Sequence, residues 1–201
     1  MKTLIFPGWA SFESFYQKEL KEDFFYVNNA KEISIDEEVN IIAWSMGTLK
    51  ALKFIKNNKV NKLILFAPTK KFTENIEAEV IDKMIEGLNI NKEITLKNFY
   101  KMNFKDLKNF REFWNNYENE IKKLEVLDLI NDLEFLKNEE IEDLDFTNVK
   151  ETYIFYDKED RIIPINEEFL SCGYSKAFSR GHNFIYKNEE LKDIVRSLLN
   201  D

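Results

Sequence analysis

Five short apolar runs with almost no polar alternation constrain this chain more than any other feature. Leu4-Ile5-Phe6 stops at Pro7-Gly8, Phe24-Phe25-Tyr26-Val27 at Asn28-Asn29, and Asn40-Ile41-Ile42-Ala43-Trp44 at Ser45. Lys62-Leu63-Ile64-Leu65-Phe66 stops at Ala67-Pro68, and Thr152-Tyr153-Ile154-Phe155-Tyr156 at Asp157. An alternating strand has one dry face and a continuous apolar run has two. These runs therefore read as parallel strands covered on both sides by helices. Gly173 to Phe178 reads as a weaker sixth strand. Leu49, Leu52, Phe54 and Ile55 mark the buried side of a helix after Ser45, and Leu191, Ile194, Val195, Leu198 and Leu199 that of a closing helix. The expected fold is α/β, with a mostly parallel sheet of about six strands and helices on both faces.

Residues 69–149 break this rhythm and read as wholly helical. Leu96, Phe99, Tyr100, Phe104, Leu107, Phe110, Trp114 and Tyr117 recur every three or four residues, an apolar stripe with a candidate interruption near Asn103. The stretch far exceeds an ordinary crossover, and a structureless loop of that length would be out of place in a compact domain. The expected division is a core of residues 1–68 and 150–201 with a helical cap, 69–149, inserted between them.

The 201 residues suit one domain with such an insertion, and 44% hydrophobic and 14% aromatic content is ample for a packed core. A net charge of −8 disfavours nucleic-acid binding, which needs a basic surface. One cysteine, Cys172, cannot form an internal disulfide, and with one histidine it cannot make a recognisable metal cluster; no metal or cofactor is expected. The apolar run in Met1–Gly8 is too short for a signal peptide, and no segment approaches the roughly 18–20 apolar residues of a membrane span. A cytoplasmic monomer is expected.

The sole histidine, His182, lies in Gly181-His182-Asn183-Phe184. Ala43-Trp44-Ser45-Met46-Gly47 joins a strand to a helix, and Asp160 follows another strand in Asp157-Lys158-Glu159-Asp160-Arg161-Ile162-Ile163-Pro164. A serine hydroxyl is a weak nucleophile unless a base takes its proton and a third group orients the base. A tight strand-to-helix turn lifts Ser45 from the sheet edge and aims the Met46 N–H at a developing oxyanion. Small flanking residues, Ala43 and Gly47, make the turn possible. Pro7-Gly8-Trp9 would offer the Trp9 N–H as second donor, with Gly8 allowing a sharp bend. Taken singly, Ser45 reads equally well as a helix N-cap and Asp160 as a turn residue. The order serine, acid, histidine, with all three at strand carboxyl ends, favours a catalytic set. Asp157 and Glu159 stand as competing acids.

On these motifs the chain resembles the α/β-hydrolase superfamily and, within it, the pimeloyl-ACP methyl ester carboxylesterases of biotin synthesis, of the BioH and BioG type. The matching pieces are Gly8-Trp9, Trp44-Ser45-Met46-Gly47, Asp160-Arg161-Ile162-Ile163-Pro164 and Gly181-His182, with Thr95 to Tyr100 loosely similar to the start of that family's cap. Ala43, Thr48 and Pro7 depart from the family's usual glycines and histidine. The resemblance implies an α/β-hydrolase fold and a serine carboxylesterase. Ser45 would be nucleophile, His182 general base then acid, Asp160 the orienting carboxylate, and Trp9 and Met46 the oxyanion donors.

Trp9, Phe99, Tyr100 and Trp114 are expected to line the substrate site, their apolar character suiting a medium acyl chain. Lys97, Lys101, Lys105 and Lys108 would share one face of a continuous helix, a candidate dock for an acidic acyl-carrier protein, although an ordinary solvated lysine face is the simpler reading. A generalist esterase or thioesterase and a non-catalytic acyl-binding protein stand as alternatives.

Overall fold

The computed structural model describes residues 1–27, 37–74 and 76–200; the Asn28-Asn29 end of the second apolar run lies outside them. The elements run β1 (Thr3–Phe6), α1 (Glu13–Leu20), β2 (Phe25–Tyr26), β3 (Val39–Trp44), α2 (Met46–Ile55) and β4 (Val60–Phe66). Then follow α3 (Ala78–Met102), α4 (Leu107–Lys122), α5 (Val126–Asn138), β5 (Val149–Asp157), the single turn α6 (Glu167–Leu170), β6 (Tyr174–Phe178) and α7 (Glu189–Asn200). Six strands form one sheet in the order β2-β1-β3-β4-β5-β6, and every pairing is parallel.

All six residues of β3 are buried, as are Leu63 to Phe66 of β4, as expected of strands dry on both faces. The chain winds outward from β1 to β2 in one direction and from β3 to β6 in the other. Right-handed crossovers then put α1 and α2 on opposite faces. The point of reversal, between β1 and β3, is where an open parallel sheet leaves a crevice at its carboxyl edge.

Two expectations need correction. The second strand is only Phe25–Tyr26; it is an edge strand with one neighbour, and Phe25 is exposed. Residues 69–149 are not wholly helical. The helices cover 78–138, and the flanks meet in an antiparallel bridge between Lys71 and Glu140. The aromatic stripe is interrupted near Asn103, as its reading allows: α3 ends at Met102, and α4 begins afresh after Asp106, whose carboxylate caps the Asn109 N–H at 2.8 Å. The break changes the helical phase, so Leu107 is exposed and Phe113, outside the stripe, is buried. Among the described residues no helix is long and apolar enough to cross a membrane.

Candidate active site

Ser45 occupies the one-residue turn between β3 and α2 with φ 54° and ψ −119°, a region L-residues avoid at a cost of about 1–3 kcal/mol. An N-cap serine has extended backbone and accepts a helix N–H on its side-chain oxygen; Ser45 has neither feature. The turn is instead built from neighbours. Its N–H donates to the Phe66 carbonyl at 2.8 Å, extending the β3–β4 ladder, and its carbonyl accepts from the Thr48 N–H at 2.9 Å and the Thr48 hydroxyl at 2.6 Å. Thr48 Oγ1 also accepts from the Thr69 N–H at 3.2 Å, tying the turn to the segment after β4. Thr48 thus does work that its reading as a replaced glycine gave no hint of.

Gly47 is required by contact. A Cβ there would lie 1.9 Å from the Phe6 carbonyl oxygen, because α2 crosses the end of β1 at backbone distance. Gly8 lies against the same turn: a Cβ on it would sit 3.4 Å from Ser45 Cβ. Pro7-Gly8-Trp9 therefore borders Ser45, and Met46 is the first residue of α2.

At the far side of the edge, His182 Nδ1 lies 2.6 Å from Asp160 Oδ2, both side chains fully buried. The other carboxylate oxygen accepts from the Ile162 and Ile163 N–H groups at 2.8 and 2.9 Å, which orients the acid before it meets the imidazole. The rival acids are occupied elsewhere. Asp157 accepts from the Glu159 N–H at 2.8 Å and from the Arg180 N–H. Glu159 bonds the Lys105 ammonium and the Ser179 hydroxyl, each at 2.6 Å, which together hold its carboxyl below the usual range.

The histidine loop is pinned to the α3–α4 turn. The Asn183 N–H donates to the Asn103 carbonyl at 2.9 Å and the Lys105 N–H to the Arg180 carbonyl at 3.1 Å. Gly181, at φ 93°, passes so close that a Cβ would stand 2.8 Å from the Asn103 oxygen. Ser45 and His182 meet through Trp44, whose ring stacks on the imidazole at 5.4 Å and 30°. A Ser45–His182 hydrogen bond is not among the contacts of the described residues. Trp44 Nε1 and Asn183 Oδ1, each adjacent in sequence to one of these residues, are buried with no partner among the described residues. Buried polar groups left in this way are uncommon and concentrate where a ligand or reaction makes use of them.

The remaining expected residues are placed as follows. Trp9 is buried, its Nε1 donating to the Leu129 carbonyl of α5 at 2.9 Å, its ring edge-on to Phe99 at 4.5 Å. The Tyr100 hydroxyl donates to the Ala10 carbonyl, and Trp114 packs on Tyr100 and Phe110. The helix break leaves Lys97 and Lys101 on α3, Lys105 in the connecting turn and Lys108 on α4. Lys97 lies over the Trp114 ring at 5.3 Å, and Lys105 is paired with Glu159. A cleft of about 890 Å³ opens between the loop after β1, α2 and α5, with Phe54, Leu129 and Phe135 among its apolar walls and Lys50 at its side. Ser45 does not line it; Gly8 belongs to both the cleft and the Ser45 turn.

No family model matches the chain, and no curated protein matches it in sequence. Solved structures do match in shape. An esterase from Exiguobacterium antarcticum superposes with a TM-score of 0.80 at 18% identity, over 100% of this chain and 92% of that one. BioG from Haemophilus influenzae gives 0.64 at 12%, over 92% and 89%. A bromoperoxidase from Bacillus anthracis gives 0.74 at 10%, over 100% and 92%. Activities so differently named share one scaffold, so likeness at this identity speaks to fold and not to reaction. The chain has the α/β-hydrolase fold.

Proposed function

We propose that this chain is a serine carboxylesterase in which Ser45 is the nucleophile, His182 the base and Asp160 its orienting acid. One observation carries the reading. A serine held in a strained strand-to-helix turn, making no capping bond, shares the carboxyl edge of the sheet with a buried, hydrogen-bonded histidine–aspartate pair. Strain of this kind persists only where the surroundings enforce it, and functional sites are where it collects.

The chemistry follows from the atoms. Asp160 Oδ2 accepts the Nδ1–H of His182, which leaves the Nε2 lone pair free to take a proton. Substrate binding brings Ser45 Oγ within reach of Nε2, as such bonds tighten on complex formation. Oγ attacks the ester carbonyl carbon as its proton passes to Nε2. The carbonyl oxygen takes the negative charge between the Trp9 and Met46 N–H groups. Collapse expels the alcohol, which takes the proton from Nε2 and leaves an acyl-serine. Water, deprotonated by the same nitrogen, attacks the acyl carbon; the carbon–Oγ bond breaks, Ser45 Oγ takes the proton back from Nε2, and the carboxylic acid is released.

The helices of residues 78–138 act as the cap in this reading, and Phe99, Trp114 and Trp9 supply apolar surface to the acyl group. Gly8 lines the cleft and borders the Ser45 turn, so the cleft is the side from which an acyl chain would approach. The sharper form of the proposal is hydrolysis of pimeloyl-ACP methyl ester in the cytoplasm. It is supported by the sequence resemblance around Trp44-Ser45-Met46-Gly47 and by the fold shared with BioG. Lys101 and Lys108, with Lys97 and Lys105 beside them, are the residues that would meet an acidic carrier.

Intact mass after treatment with a fluorophosphonate tests the core of this. A single adduct is expected on the natural chain, absent from Ser45→Ala and much slower to form in His182→Ala. No adduct on well-folded protein would turn the assignment toward an acyl-binding protein without catalysis. Rescue of a biotin auxotroph lacking its esterase tests the sharper form; good expression without growth would leave a generalist esterase.

A further inference from the structure

We propose that Tyr100 is a positioning residue for the oxyanion hole, fixing from the helical insertion the loop that carries the Trp9 N–H. The inference rests on the serine-hydrolase reading above and gives Tyr100 a different role from substrate contact.

The loop after β1 has its own frame on the core side, where the Ser11 N–H closes a turn on the Gly8 carbonyl at 3.3 Å. That frame leaves Ala10 at φ 56°, a conformation a non-glycine residue seldom keeps without an external hold. The hold comes from the helices between β4 and β5. The Tyr100 hydroxyl donates to the Ala10 carbonyl, immediately beyond Trp9, and Trp9 is tied by its indole N–H to the Leu129 carbonyl and by its ring to Phe99.

The Tyr100 ring is itself locked among Phe99, Phe113 and Trp114, at centroid distances of 5.6, 5.2 and 6.2 Å, so its hydroxyl is aimed by packing. A phenol has one proton to donate, and here it is committed to a backbone carbonyl, so none is left for a substrate. Burial pushes the phenol far above its ordinary value of 10.0, so it stays a donor at any working pH. The consequence is a division of labour. The core supplies the nucleophile, and the insertion sets the direction of one of the two N–H groups that receive the charge.

The test compares Tyr100→Phe with the natural chain on p-nitrophenyl butyrate and on its thionoester analogue. A thiocarbonyl sulfur accepts hydrogen bonds poorly and so gains little from an oxyanion hole. We expect kcat on the oxygen ester to fall about tenfold, less than the loss of a whole donor, with KM within about twofold. The oxygen-over-sulfur rate ratio falls with it. Equal losses on both esters would mean Tyr100 is a structural strut only, and an unchanged kcat would mean the tie is idle; either overturns the proposal while leaving the serine reading intact. Turnover that survives in Ser45→Ala overturns the serine reading itself. Should Tyr100→Phe fail to fold in a urea titration, Trp9→Phe removes the companion tie and the same ratio is read.

Discussion

The Trp44 indole lies flat against the His182 imidazole, centroids 5.4 Å apart and planes 30° from parallel, with its other contacts to Phe15 and Tyr16 of α1. The imidazole is thus fixed twice. Asp160 holds one ring edge, and Trp44, the residue before Ser45, holds one face. The serine turn and the histidine loop come from opposite ends of the chain, and this stack is how one registers on the other.

Trp44→Leu removes the face while keeping an apolar side chain in the space, and aromatic pairs of this kind are worth about 0.5–1.5 kcal/mol beyond their buried area. The rate of fluorophosphonate labelling should fall about tenfold through misorientation of the base, and Trp44→Phe should recover most of it. His182 is the sole histidine, so its ring resonances need no assignment. They should lose their ring-current displacement in Trp44→Leu. Unmoved resonances would refute the stack itself.

Asp160→Asn keeps a carbonyl oxygen for the Ile162 and Ile163 N–H groups but presents an amide to the imidazole, favouring the wrong tautomer. Labelling at Ser45 should slow by about 10³–10⁴-fold with little change in thermal midpoint. Asp157→Asn should do the reverse. Its carboxylate ties Glu159 and Arg180, so weakening it costs stability, about 1–2 kcal/mol in a urea titration, and leaves the labelling chemistry close to natural. If both variants slow labelling alike, the assignment of the acid is wrong.

Much of this architecture was legible in the chain. Strands buried on both faces need unbroken apolar runs, and β1, β3, β4 and β5 each carry one. The small residue at Gly47 was legible for a related reason: side-chain volume at a backbone crossing is a local matter. What could not be read depended on distant partners. The stripe from Leu96 to Tyr117 keeps helical spacing across a break that Asp106 caps; its spacing marks an interruption near Asn103, but the lysines share one face only on a continuous helix. Nothing in Thr95 to Tyr100 signals that the Tyr100 hydroxyl meets Ala10, ninety positions away. Glu19 and Lys192 lie 173 positions apart and pair only because α1 and α7 lie side by side.

Gly47→Ala is predicted to be among the most damaging single substitutions in the core. The methyl group would sit 1.9 Å from the Phe6 oxygen and 2.7 Å from that of Pro7, and backbone atoms cannot swing aside as a side chain would. Separating α2 from β1 should cost at least about 1–3 kcal/mol, the usual scale of overpacking, and displace Ser45 with it. Urea unfolding reads the first effect and fluorophosphonate labelling the second. A variant of natural stability would mean that the helix crosses β1 less closely.

Glu19 and Lys192 form a buried pair at 2.7 Å, both side chains about one-twentieth exposed, and the Glu19 carboxylate is completed by the Tyr117 hydroxyl at 3.2 Å and the Lys187 N–H at 3.0 Å. The cluster joins α1, α4 and the turn between His182 and α7. Removing Lys192 strands the Glu19 carboxylate, so Lys192→Met should destabilise by about 3–5 kcal/mol; Glu19→Gln leaves Lys192 its bond to Glu189 and should cost less, and the double variant Glu19→Gln/Lys192→Met should recover a large part of the Lys192→Met loss. Burial pulls the Lys192 ammonium down, but its bonds to Glu189 and Glu19 outweigh that and hold it above the ordinary 10.5. A group raised on folding contributes stability that is fully present below its unfolded value and lost as pH climbs through the folded one. The buried phenols of Tyr16 and Tyr100, pushed up by burial from 10.0, carry the same sign. Stability should therefore hold up to about pH 10 and decline above it, read in urea titrations and in the loss of helical circular dichroism. Lys192→Met should shift only the lysine share of that decline. Stability that stays level well above pH 10 would show these phenols to be less buried than the fold requires.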